Sequence, residues 1–216
     1  MAKYKSEQIT FSNWITYLTG LDSRIVQADA DSVTIDGKVN LSFPMYQSNP
    51  DRRYMKIIVN GVEHQGETGA WFAGYTQPYV TTFIGDNVII IRVTPSNIEA
   101  GTRGHEFVYI TDGIGNYYAG IAFADRTEFN IYGTSLYDVT EGTVAYKIGA
   151  VISGISASAG TIAYSNYCPI VNGSNILFGF AKELLSCSTI AQRSVIALPN
   201  GNNYYALGTN TLIKIE

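Results

Sequence analysis

The chain has 216 residues, a formal net charge of −4, 46% hydrophobic residues and only 15% charged ones. That length suits one large β domain, and it buries enough surface to fold with neither metal nor disulfide. The acidic balance argues against a protein built to grip nucleic acid, which needs clustered cations on phosphate, although Arg52-Arg53 could touch one. The densest basic group is Arg52, Arg53 and Lys56, which reads as a solvated strand entrance.

The opening Met1-Ala-Lys-Tyr-Lys-Ser-Glu7 lacks the apolar segment of a secretory signal. No run reaches the ~20 apolar residues of a spanning helix. The expectation is a protein made in a cytoplasm, not secreted by a signal peptide and not inserted in a membrane.

In chain order, Phe11, Trp14, Ile15 and Leu18 fall at helical spacing ahead of Gly20, which predicts a short helix over 10–20. Residues 1–20 are read as a helical arm and 21–216 as the β domain. A division of that domain into two β subdomains near 95–105 is the alternative. Five Asx-Gly dipeptides follow, at Asp36, Asn60, Asp112, Asn172 and Asn200. They tolerate the positive φ of tight type I′ hairpins.

Around those turns lie β-branched and aromatic runs: Ser32–Asp36 with Lys38–Phe43, Tyr54–Val59, and Val80–Ile84 with Asn87–Thr94. Glu106–Thr111 with Asn116–Phe123, Arg193–Leu198 with Asn203–Leu207, and Thr211–Ile215 complete the set. Val88 to Ile91 is apolar on both faces and predicts a central strand. Phe180, Ala181, Leu184 and Leu185 share one helical face, so a second short helix is predicted near 178–187. The fold class is mostly β, with antiparallel sandwich or barrel-like sheets.

Residues 148–181 form a run of 34 without a charge, where average usage would place about eight. Small residues and Tyr dominate it, which favours a subunit interface over a pure core. Phe11 and Trp14 on the helix and Tyr164 and Tyr167 in this stretch are the predicted assembly contacts.

Catalytic and metal chemistry is poorly represented. The two histidines, His64 and His105, read as hydrogen-bonded loop residues. His105-Glu106 opens a zincin motif, but Tyr109 occupies the second histidine position. Cys168 and Cys187 match neither a zinc site nor a disulfide scaffold, and read as free, semi-buried thiols. Asp29, Asp31 and Asp36 have calcium-like spacing without the EF-hand glycine or closing Glu. Asp125, Glu128, Asp138 and Glu141 are carboxylates near one another in the chain, which alone makes no acid pair. No catalytic residue, cofactor or metal site is predicted. Trp71, Phe72 and Tyr75, set between Gly69 and Gly74, are the candidates for stacking on a ligand such as a sugar.

Two segments carry a family likeness. One runs from Tyr167-Cys-Pro-Ile-Val-Asn to Lys182-Glu-Leu-Leu-Ser-Cys187. The other runs from Val195-Ile-Ala-Leu-Pro-Asn-Gly through Tyr204-Tyr-Ala-Leu-Gly208 to Leu212-Ile-Lys-Ile-Glu216. Together they resemble the C-terminal segment of tailed-bacteriophage virion structural proteins: an apolar strand, a short helix, a Gly-turn hairpin with aromatics, and a final strand. The resemblance covers about a quarter of the chain and implies a non-enzymatic neck, tail or capsid-decorating component located in the virion. Its partners would be copies of itself and other virion proteins, without direct nucleic acid and without membrane insertion. The alternative is a carbohydrate- or receptor-binding β module that meets a host-surface glycan.

Overall fold

Alternating apolar and polar residues, rich in Val, Ile and Tyr, give strands whose buried faces must meet. In a computed structural model they do so in three stacked layers. The structure describes residues 1–46, 49–65, 72–73, 78–94, 104–112, 114–124, 135–143, 145–148, 164–165, 168–174, 177–187, 195–207 and 211–216.

The chain begins with β1 (Lys3–Gln8), a single 3-10 turn (Phe11–Asn13) and α1 (Trp14–Thr19). Then come β2 (Ile25–Gln27), β3 (Ser32–Ile35), β4 (Val39–Ser42), β5 (Met45–Tyr46), β6 (Asn49–Arg53), β7 (Lys56–Val59), β8 (Val62–Gln65) and β9 (Phe72–Ala73). The middle of the chain gives β10 (Tyr79–Ile84), β11 (Val88–Thr94), β12 (Gly104–Thr111), β13 (Tyr117–Ala124), β14 (Leu136–Asp138) and β15 (Ala145–Ile148). The remainder gives β16 (Tyr164–Ser165), β17 (Cys168–Asn172), β18 (Leu177–Ala181), β19 (Leu184–Cys187), β20 (Val195–Ala197), β21 (Asn203–Ala206) and β22 (Thr211–Ile215).

The middle layer is a nine-stranded sheet in the order β1-β10-β11-β12-β13-β14-β15-β17-β18, antiparallel throughout. One of its faces is covered by the five-stranded sheet β2-β3-β4-β7-β8 together with α1. The other face is covered by the five-stranded sheet β16-β19-β22-β21-β20. A small sheet, β5-β6-β9, extends from the first of these.

Strand β11 shows why the layers stack this way. Ile89, Ile91 and Val93 enter one core with Val33, Leu41 and Ile57. Val88 and Ile90, on its other face, enter a second core with Leu184, Tyr205 and Ile213. A strand apolar on both faces needs a cover on both, and the expectation of a central strand is met. One polar pair interrupts it: Arg92 and Glu106, paired across β11 and β12, lie 4.0 Å apart with both side chains fully buried.

The predicted hairpins at Asp36, Asn60 and Asn200 form, as do those of β10 with β11 and β12 with β13. Two of the Asx-Gly pairs adopt positive φ at both residues, Asp36-Gly37 and Asn60-Gly61. At Asp112, Asn172 and Asn200 the side chain makes the turn instead. Asp112 Oδ1 accepts from the amides of Ile114 and Asn116, Asn172 Oδ1 from that of Ser174, and Asn200 Oδ1 from that of Asn202.

Two expectations are corrected. The helix near 178–187 is absent: Leu177–Ala181 and Leu184–Cys187 are strands joined by a turn at Lys182-Glu183. Ladders to β17 and β22 pay for this where a ten-residue helix offers only local bonds. Residues 1–20 are not a separate helical arm. Lys3–Gln8 pairs along β10, and Trp14 and Leu18 lie in the first core. On either side of 95–103, which lie outside the described residues, β11 and β12 pair with each other.

Candidate functional site

The described residues hold no cluster of three or more His, Cys, Asp or Glu side chains able to bind a metal. Both histidines lie in strands, His64 in β8 and His105 in β12. His64 stacks on Tyr137 with ring centroids 3.4 Å apart, and its Nε2 lies 2.7 Å from the carbonyl oxygen of Gly142. His105 is buried within β12 rather than in a loop. Asp31 pairs with Arg53, Asp36 accepts the Tyr109 hydroxyl, and Asp138 caps the turn at Thr140 and Glu141, so these carboxylates serve separate local bonds. Asp125 and Glu128 lie outside the described residues. Cys168 and Cys187 are fully buried thiols that form no disulfide, and burial pushes each up to about 12.

Beside α1 lies a small open cleft, with room for about one water molecule, lined in part by Phe11, Trp14, Phe43, Asp31 and Arg53. Arg53 Nη1 donates to the carbonyl of Phe43 and pairs with Asp31, both at 3.0 Å, and its guanidinium lies over the Phe11 ring. Trp14 meets Phe43 edge-on at 5.1 Å and is only 2% exposed. The ring of Trp14, a predicted assembly contact, packs in the protein's own core. Phe11 stays half-buried at the mouth.

The other predicted contacts divide. Tyr164 begins β16, at one end of its sheet beside β19. Phe72 lies in β9 opposite Arg53. Tyr167, Trp71 and Tyr75 fall outside the described residues, as do 149–163 of the charge-free stretch. Within that stretch Ile148, Cys168, Ile170 and Ala181 are core.

The sheet edges differ from one another in chemistry. β1 carries Lys3, Lys5 and Glu7, with Lys5 and Glu7 ion-paired at 2.7 Å. β8 carries Glu63, paired with Lys56 at 2.8 Å. Charges of this kind block unwanted pairing. β18 ends the nine-stranded sheet with the uncharged sequence Leu-Phe-Gly-Phe-Ala, where Leu177 is 50% and Phe180 39% exposed. β20 ends the third layer with Val-Ile-Ala, where Val195 is 58% exposed. These positions were not predicted as contacts. The missing charge in 177–181 was visible, but the helical reading hid that this segment forms a sheet edge.

No family model matches the chain, and no curated protein or solved structure matches it either. No described helix is long and apolar enough to cross a membrane.

Proposed function

We propose that the chain is a non-enzymatic structural subunit of a bacteriophage virion, a neck, tail or capsid-decorating component. It works by protein–protein assembly with copies of itself and other virion proteins. The observation that carries the assembly reading is the pair of uncharged outer strands, β18 and β20, each with an exposed large apolar side chain. An outer strand of that kind is suited to pairing with another chain, where main-chain hydrogen bonds of strand addition give affinity. The charged β1 and β8 edges of the same molecule make the contrast an internal one.

The virion assignment rests on the C-terminal likeness. β17, the β20–β21 hairpin and β22 follow the order of that segment, while β18 and β19 stand where its short helix was expected. The test is absolute mass by light scattering after size exclusion, across a concentration series. A defined multimer is the expected result. The mass of one chain at every concentration would remove self-assembly from the proposal.

A further inference from the structure

We infer that Asn172, Gly173 and Ser174 form a self-modifying site, in which the chain's own backbone attacks the Asn172 side-chain amide and expels it as ammonia. The inference stands apart from the assembly reading. The chain holds three Asn-Gly pairs, at Asn60, Asn172 and Asn200. In each, the glycine nitrogen is the nucleophile next to the asparagine Cγ, and glycine puts no side chain in its path. At Asn172 the fold aligns the two. Its Oδ1 accepts from the Ser174 amide at 3.0 Å, an Asx turn that folds the side chain over the Gly173 peptide. That amide proton sits on the oxygen that becomes negative when Cγ is attacked, as a backbone donor does in an oxyanion hole. Gly173 and Ser174 are both exposed, and nothing lies within 4 Å of where a Gly173 Cβ would stand. Solvent base therefore has access to the turn.

The glycine nitrogen gives its proton to solvent base and bonds to Asn172 Cγ. The Cγ–Nδ2 bond breaks, and the amide nitrogen takes a proton and leaves as ammonia. Water then opens the cyclic imide at either carbonyl. One product is aspartate, and the other is isoaspartate, whose backbone runs through the former side chain. The reaction needs only water and base. The chain gains one negative charge inside its charge-free run of 34 residues. The other two pairs are restrained. Asn200 has the same Asx geometry, with Oδ1 3.0 Å from the Asn202 amide. Its nucleophile is engaged, however. The Gly201 N–H donates to the Leu198 carbonyl at 3.0 Å, and Asn200 Nδ2 donates to the Tyr204 hydroxyl at 3.0 Å. Asn60 is held at a φ of 48°, with its Nδ2 donating to the Thr140 carbonyl and Gly142 packed close against its Cβ.

The test warms the folded full chain at mildly alkaline pH and follows amide-to-acid conversion by peptide mass mapping, with isoaspartate separated from aspartate by chromatography. Asn172 should convert first and give both products. Freeing the Gly201 N–H costs a hydrogen bond before attack can begin, so Asn172 should lead Asn200 by about tenfold or more. In urea, where the turns are lost, the three sites should convert at comparable rates. Gly173→Ala places a side chain beside the nucleophile. The φ of Gly173 is not left-handed and its surroundings are open, so this variant should fold and convert several-fold more slowly at Asn172. Conversion of Asn60 or Asn200 in the folded chain as fast as that of Asn172 overturns the inference. So does a folded chain that keeps Asn172 intact while the urea-unfolded chain converts. A lead of Asn172 that persists unchanged in urea belongs to the local sequence and overturns the role of the fold. Undiminished conversion in folded Gly173→Ala means direct hydrolysis by water, and overturns the backbone attack.

Discussion

Arg24 shows how much one side chain can tie together. Its guanidinium meets Asp22 through Nε at 2.8 Å and Nη2 at 3.2 Å, and it donates to the carbonyls of Gly85 and Asp86. The β10–β11 turn of the middle layer is thereby fastened to the start of β2. Arg24 and Gly85 are 61 positions apart, so no spacing rule points to the contact. The hydrogen bond from Arg24 holds the Asp22 carboxyl below its ordinary range, against the opposing effect of burial. A carboxyl whose folded pKa is lowered stabilises the fold above its unfolded value of about 3.9. That contribution is lost as pH falls through the lower, folded value. Asp22→Asn is therefore expected to cost about 0.5–1 kcal/mol near pH 7. The difference from the parent chain should shrink as pH drops below about 4. Urea titrations of both proteins at several pH values read this directly. A gap that stays constant with pH would show that Asp22 acts through its shape and not its charge.

At the scale of elements, the hairpins were legible because their turn chemistry is local. Asp36-Gly37 and Asn60-Gly61 carry their own conformational instruction. The segment 178–187 was misread because a helical face and two short buried strands use the same residues. What decides is remote: β18 closes on β17 in one layer, and β19 on β22 in another. Between them Glu183 takes a left-handed φ of 66°. Its Oε2 accepts from the Asn87 amide at 2.7 Å, and its Oε1 lies 3.1 Å from the Met1 amino group. A Cβ on Gly85 would come within 2.5 Å of the same carboxylate, so Gly85 leaves it room. Glu183→Ala loses the carboxylate bonds and keeps the strained φ, at a cost of about 2–3 kcal/mol. Glu183→Gly loses the same bonds but relieves the strain, and should be about 1 kcal/mol less costly. A helix across this segment would give the reverse order, since Gly costs about 1 kcal/mol more than Ala in a helix interior. Denaturation midpoints of the two variants therefore check the element as well as the residue.

The whole molecule was legible as a class and not as an arrangement. Strand-rich periodicity and a doubly apolar β11 imply a covered central sheet. The order of layers depends on pairings such as β15 with β17 and β1 with β10, which join distant parts of the chain. The charge-free stretch was read as a single surface, yet its described strands are split between buried ladder and exposed edge. The buried Arg92–Glu106 pair adds a constraint on register that composition does not reveal, because a slip of β11 against β12 would separate two buried charges. Since β11 serves both cores, its two faces should not melt apart. Ile89→Ala removes packing from the core shared with α1, and Ile90→Ala from the core shared with β22. Each should cost about 2–5 kcal/mol. With Trp71 replaced by Phe in every protein compared, Trp14 emission reports on the first core alone, while circular dichroism reports on all the sheets. In either variant the two signals should move together to one lower midpoint. If Ile90→Ala lowered the circular-dichroism midpoint and left Trp14 emission in place, the layers would be independent folding units. The middle sheet would then be a shared wall between them and not the spine of a single cooperative fold.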